Sequence, residues 1–169
     1  GKPLPGGRIE IDKTVEGSKE EDGEVLAYGE NIMLGYHNLP EKTKESINED
    51  GGLRTGDLGH LDADGYLYIT GRVKEQYKLE NGKYIAPAPL EESLKLSAYI
   101  DQVLLYGYNR PHNVALIVVA MPAVEQYAEG LGISGNSESI LSEPRIRQLF
   151  KEQLERYGKD FKGYEHPQN

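Results

Sequence analysis

The chain of 169 residues carries 28 acidic and 19 basic side chains, a net charge of −9, and no cysteine. That composition excludes disulfides, thiolate nucleophiles and cysteine-based metal sites, and an acidic surface without a lysine or arginine block argues against nonspecific nucleic-acid binding. No apolar run approaches the roughly 18 residues that span a bilayer, and no secretory leader is visible, so a cytoplasmic location is expected.

Hydrophobic residues make up 37% of the chain, which permits a core for one ordinary domain or two small ones. The opening stretch, to about residue 70, reads as β-rich. Ile9 and Ile11 alternate with Arg8, Glu10 and Asp12, the period-two pattern of a half-buried strand. Residues 16–23 are polar and acidic, a surface loop. A second strand is expected over 23–29, between glycines, and a third short apolar run follows at 31–36. Pro40 opens a short helix over 40–47. Residues 50–52 turn the chain into a strand that passes through Thr55, Gly56 and Asp57. Ala63, Asp64 and Gly65 read as a turn, and Leu67 and Ile69 alternate with Tyr66, Tyr68 and Thr70 on the returning strand. A strand, a turn and a strand bring Asp57 and Arg72 back toward each other. Short strands with frequent glycine suggest a small barrel or a strongly bent sheet.

Past Lys74 the pattern changes. A hairpin is expected over 79–85, turning at Asn81 and Gly82. Pro87 and Pro89 introduce a helix through Ser97, with Leu90 and Leu94 four apart on one face. Residues 101–107 read as a strand, 109–113 as a turn, and 114–120 as a fully apolar, central strand. A helix over 122–130 carries Val124, Tyr127 and Ala128, and 130–139 reads as loop. The clearest amphipathic helix spans 144–157, with Ile146, Leu149, Phe150, Leu154 and Tyr157 on one stripe. Strands followed by this mixture of hairpin, helices and strands make an α+β chain.

Asp57 and Arg72 are the chemistry-bearing pair. A carboxylate accepts hydrogen bonds from two neighbouring hydroxyls, as on a ribose, and a guanidinium beside it suits a phosphate or the same sugar. Asp64 precedes Gly65 and reads as a turn former. The run from Asp62 is no calcium loop, because the first ligand position falls on His60 and the twelfth on Gly71. His37, His60, His112 and His166 show no ligand spacing, and no metal site is expected in the chain.

The run RTGDLGHLDADGYLYITGRVKEQYKLENGKYIAP resembles the ribose-binding and hinge motifs of the AMP-forming adenylating ligases, which include acyl-CoA synthetases, luciferases and nonribosomal adenylation domains. Its ENGKYIAP variant is most similar to long-chain fatty acyl-CoA synthetases, and the likeness runs over residues 1–163. The resemblance implies an α+β fold: a small β-barrel-like subdomain over 1–73, then a hinge, then a mobile α+β lid over 74–169. It implies an ATP-dependent ligase that converts a fatty acid to an acyl adenylate and then to acyl-CoA. In that scheme Asp57 accepts the ribose hydroxyls of ATP and adenylate, Arg72 contacts ribose or phosphate, and Lys74 sits at the hinge. The hairpin from Lys78 faces CoA. Gly82 lets the backbone pass the pantetheine arm, and Lys78 matches a lysine of the thioester step, although its loop is one residue longer than in many members.

The phosphate loop, the magnesium ligands and the fatty-acid pocket are expected upstream, and no Pro-Thr-x-x-x-Lys motif for the adenylation lysine occurs here. Lys159 and Lys162 lie outside any such context. The chain therefore reads as a C-terminal fragment of a longer enzyme, inactive alone, whose partner is the large N-terminal domain. Membrane contact is expected only in the parent enzyme, and only as a peripheral one. Two other readings stay open: an adenylating enzyme that loads a carrier-protein thiol, and a noncatalytic module on the same fold.

Overall fold

In the computed structural model, which describes residues 1–18 and 21–168, the chain divides into two units, Gly1–Gln76 and Tyr77–Asn169. The first is an antiparallel meander. Strands β1 (Arg8–Asp12), β2 (Gly23–Tyr28), β3 (Leu53–Leu61) and β4 (Leu67–Arg72) lie side by side in chain order. Val25, Leu26 and Leu58 are its buried apolar residues. That the neighbours Val25 and Leu26 are both buried follows from a break in register between Glu24 and Leu26, since a bulge interrupts the alternation of faces and bends the strand. A second irregularity falls between Leu58 and Gly59. Here β3 and β4 approach so closely that a Cβ on Gly59 would lie 2.3 Å from the Tyr68 carbonyl oxygen.

The β3–β4 turn is closed by Asp62, through both its backbone and its side chain. Besides the backbone bonds Asp62 N–H to Tyr66 O and Gly65 N–H to Asp62 O, each at 3.0 Å, Asp62 Oδ1 accepts the N–H groups of Asp64 at 3.0 Å and Tyr66 at 2.8 Å, an aspartate turn. Those bonds, the Tyr66 N–H first, hold its carboxyl below the usual range. Helix α1 (Pro40–Ser46) opens on proline as expected. The apolar run 31–36 is not a strand. It is turns and bends, with Leu34 fully exposed and the Tyr36 N–H donated to the Thr43 hydroxyl at 2.8 Å. Ile32, Met33 and Leu34 are consecutive, and a half-buried strand would bury only alternate ones.

The second unit begins with the two-residue strands β5 (Tyr77–Lys78) and β6 (Tyr84–Ile85). Helix α2 (Pro87–Leu94), strands β7 (Ile100–Tyr106) and β8 (Val114–Val119), and helices α3 (Met121–Gly130), α4 (Ser137–Ser142) and α5 (Pro144–Tyr157) follow. Leu79, Ile85, Leu94, Ile100 and Leu105 form one buried cluster, against which Phe150, Leu154 and Tyr157 of α5 pack. Val124, Ala128, Ile140 and Ile146 form another. The stripe on α5 is thus the one read from periodicity, with one addition: Gln153, also buried, accepts the Ser97 hydroxyl at 3.0 Å.

Three expectations need correction. Helix α2 stops at Leu94, and Ser97 lies beyond it. The loop expected over 130–139 holds the start of α4, whose N-cap Asn136 accepts the Ser139 N–H. Strand β8 is not central: it belongs to a two-stranded antiparallel sheet with β7. Its apolar residues alternate, so that Ala115 and Ile117 pack inward while Val114, Leu116 and Val118 are exposed opposite Tyr106, Leu104 and Gln102. A continuous apolar run signals burial on both faces only where both faces are covered.

Candidate functional site

In the first unit, β3 and β4 place Asp57 and Arg72 directly opposite each other in the ladder. Arg72 Nη1 lies 3.2 Å from Asp57 Oδ1, and the two side chains are 55% and 30% exposed. Gly56 makes this arrangement. Its φ of +73° is left-handed, a conformation glycine adopts without strain, and it kinks the strand between Thr55 and Asp57. The kink is pinned on each side: the Thr55 hydroxyl donates to the Val25 carbonyl at 2.8 Å and accepts the Asp57 N–H at 3.1 Å. Among the described residues Asp57 Oδ2 has no partner, so the carboxylate retains accepting capacity beyond its ion pair.

Beneath this pair runs a charged network. Arg54 Nη1 donates to Glu24 at 2.7 Å and Asp12 at 3.2 Å. Glu24, only 7% exposed, also accepts the Gly56 N–H at 3.2 Å. The bond to Glu24 pushes the Arg54 guanidinium above its ordinary pKa. Asp12 is held below the usual carboxylate range, first by the Thr14 hydroxyl, then by the Thr14 N–H, with Arg54 adding to both. Charge thus fixes the turn that presents Asp57.

A cavity of about 480 Å³ opens beside the pair, lined by Thr55, Gly56 and Arg72, by Tyr36 and Lys42 around α1, and by Lys74. Lys42 Nζ sits 4.7 Å from the centre of the Tyr36 ring. The lining is of mixed charge, since it also holds Arg54, committed to Glu24 and Asp12, and the carboxylates of Glu24 and Glu45; its other cations, Lys42, Arg72 and Lys74, suit an anion held next to a sugar. Lys74 lies in a single 3-10 turn, Val73–Glu75, between extended residues Arg72 and Gln76. Lys42 and Tyr36 were not found from sequence, because nothing local marks a helix residue as facing a strand that is distant along the chain. A second cavity of about 430 Å³, lined by residues such as Leu4, Ile9, Tyr28 and Ile32, touches none of the named groups.

Lys78 and Gly82 lie in the second unit, on the β5–β6 hairpin. Lys78 pairs with Tyr84 in the ladder and its Nζ lies 5.1 Å from that ring's centre. The turn closes through Gly82 N–H to Leu79 O and Leu79 N–H to Lys83 O, each at 2.9 Å. Gly82 has a φ of +83° and open space around its α-carbon. Outside the hairpin, Asn109 N–H donates to Lys78 O, and Glu80 N–H to Arg110 O, again at 2.9 Å. His60 is occupied elsewhere, with Nδ1 2.7 Å from Asp22 and its ring stacked on Tyr68. No helix of the described residues is long and apolar enough to cross a membrane.

The sequence profile of the AMP-binding enzyme C-terminal domain matches residues 74–134. The chain is 44% identical over 111 residues to the human long-chain-fatty-acid–CoA ligase ACSBG1, a match covering 65% of this chain and 15% of that protein. It is 34% identical over 147 residues to the Mycobacterium tuberculosis putative fatty-acid–CoA ligase fadD11, covering 86% and 24%. The adenylation domain of a carboxylate reductase from Mycobacterium chelonae superposes with a TM-score of 0.73 at 24% identity, over 99% of this chain and 25% of that one. The last likeness is one of fold. The chain spans under a quarter of the length of the curated relatives it matches.

Proposed function

We propose, from the premise that the chain belongs to the adenylate-forming AMP-binding enzymes and carries their C-terminal domain at residues 74–134, that it serves an ATP-dependent fatty acid–CoA ligase. The single observation that supports a nucleotide role is the Asp57–Arg72 pair, register partners 3.2 Å apart on the kink made by Gly56. Asp57 accepts the two ribose hydroxyls of ATP and of the acyl adenylate. Arg72, in the lining of that cavity, orients the sugar or a phosphate oxygen.

The chemistry has two halves. A fatty carboxylate displaces pyrophosphate from ATP, forming the acyl adenylate. The CoA thiol then attacks the acyl carbon, AMP departs, and the thioester remains. One site has to present cations to pyrophosphate first and admit a pantetheine arm second. Lys74 is the pivot between the two states, a short turn between extended residues being suited to absorb a dihedral change. The hairpin with Lys78 and Gly82 faces the thiol in the second state. A divalent metal would accompany ATP, but no group of three carboxylate or imidazole side chains among the described residues fits one, and no step here runs through it. The enzyme works in the cytoplasm.

The test is a half-reaction comparison in the ligase that contains this chain. Asp57→Ala lowers ATP–pyrophosphate exchange by about a hundredfold, the loss of two charge-assisted hydrogen bonds. Lys74→Pro, which also removes one cation of the cavity, lowers exchange far less than thioester formation, which it stops. Unchanged exchange in Asp57→Ala removes the ribose assignment, and parallel losses in Lys74→Pro remove the pivot.

A further inference from the structure

One buried polar side chain in the second unit joins segments that lie far apart in the sequence. Asn113, at the foot of β8, is 0% exposed. Its Oδ1 accepts the Tyr77 hydroxyl at 2.9 Å, and its Nδ2 donates to the Glu165 carbonyl at 2.9 Å. Its own carbonyl accepts the Gln168 N–H at 2.8 Å. The space around it is fully used: a Cβ on Gly107 would lie 2.4 Å from Asn113 Oδ1 and 2.8 Å from a Leu79 methyl. A buried amide with its bonds made contributes little net stability over an apolar residue of similar size, but it permits only one arrangement of its partners.

The partners matter because of what they hold. Tyr77 is the first residue of β5, and β5 and β6 share only two register pairs. A hairpin that short does not hold its own shape. It is braced from outside by the 107–113 turn, through Asn109 N–H to Lys78 O and Glu80 N–H to Arg110 O, and by the Tyr77–Asn113 bond. Burial, with the charge of Glu91 adding, pushes the Tyr77 phenol up to about 12, so it remains a donor throughout the physiological range.

We propose that Asn113, acting through Tyr77, is a positioning residue that sets the pose of the hairpin, and with it Lys78 and Gly82, for the thiol-transfer half of the reaction. The inference rests on the reading of that hairpin as the CoA-facing element.

The ligase containing this chain is tested with Tyr77→Phe, which keeps the ring and removes one hydroxyl, and with Asn113→Ala. Backbone amide exchange is followed at Leu79, Glu80 and Asn109, with β7 and β8 as internal control. In Tyr77→Phe these three amides exchange about tenfold faster, the worth of one buried hydrogen bond, while the control amides do not change. CoA-dependent thioester formation falls about tenfold as well, and ATP–pyrophosphate exchange stays within about twofold of wild type. Unchanged amides at Leu79, Glu80 and Asn109 overturn the positioning role. A matched fall in both half-reactions also overturns it, since a general loss of structure moves both. Loosened amides with thioester formation unchanged leave Asn113 positioning the hairpin and instead refute the CoA-facing reading. Should Asn113→Ala not fold, Tyr77→Phe decides alone.

Discussion

The two antiparallel hairpins that carry the candidate residues differ in how much of their own register holds them. The β3–β4 hairpin has five register pairs, is closed by the Asp62 turn, and is pinned by the other strands of its own sheet, through Thr55 to Val25 and Arg54 to Glu24 and Asp12. The β5–β6 hairpin has two register pairs and takes its support from residues 107–113 and, through Asn113, from residues 164–168. The first places Asp57 opposite Arg72 by register. Both take bracing contacts from residues thirty or more away, but the second has little register of its own and places Lys78 mainly by those contacts. A site built by register follows from local rules; a site braced from outside moves when a distant contact moves.

The largest effect is expected at the close approach of β3 and β4. Gly59→Ala puts a Cβ against the backbone oxygen of Tyr68, where no side chain can give way. A loss of about 3 kcal/mol in the first unit is expected, read as faster amide exchange across β3 and β4 with the second unit unmoved. Exchange within error of wild type would mean the two strands are freer to part than their register implies. Next in size is Arg54→Met. It leaves the nearly buried Glu24 carboxylate without its cation. Because the Arg54 side chain is itself 37% exposed, solvent reduces the penalty to about 2 kcal/mol. Chemical denaturation of the first unit measures it, and a change under about 0.5 kcal/mol would show that the kink at Gly56 stands without the network.

These contrasts decide what is legible in the sequence. The convergence of Asp57 and Arg72 was legible because the turn signal at Asp64 and Gly65 and the alternation from Leu67 set a register, and a register is a property of one stretch of chain. The amphipathic stripe of α5 was legible for the same reason. Lys42 and Tyr36 at the cavity, and Asn113 at the hairpin, were not. Each acts on a partner remote in sequence, and Asn113 sits in what reads as an ordinary turn. Strand β8 misled because composition reports apolarity but not which face is covered.

The units also differ in the pH at which they weaken. In the first, Asp12 has a lowered pKa when folded. Its contribution is present above the ordinary value of 3.8 and is lost as pH falls through the folded value. In the second, Tyr77 is raised from 10.0 to about 12. Its contribution is complete below pH 10, and is lost between 10 and about 12 as the unfolded chain ionises first. Acid should therefore loosen β1–β2 before β7–β8, and alkali the reverse, in amide exchange corrected for its intrinsic pH dependence. Tyr77→Phe should flatten the alkaline fall in the second unit alone. The same order of loosening at both ends of the scale would refute the assignment of the two groups.

The smallest expected effect is on stability at Arg72. Its ion pair with Asp57 joins side chains 55% and 30% exposed, and pairs of that kind contribute about 0–1 kcal/mol. Arg72→Ala should therefore leave the denaturation midpoint of the first unit almost unchanged. The same substitution in the ligase should weaken adenylation about tenfold, the worth of one charge-assisted contact to a sugar or phosphate. The contrast between those two numbers is what separates a nucleotide contact from a structural ion pair. If stability falls by about 2 kcal/mol while adenylation is spared, Arg72 belongs with Arg54, as part of the frame that holds the kink, and Asp57 is left to hold the ribose alone.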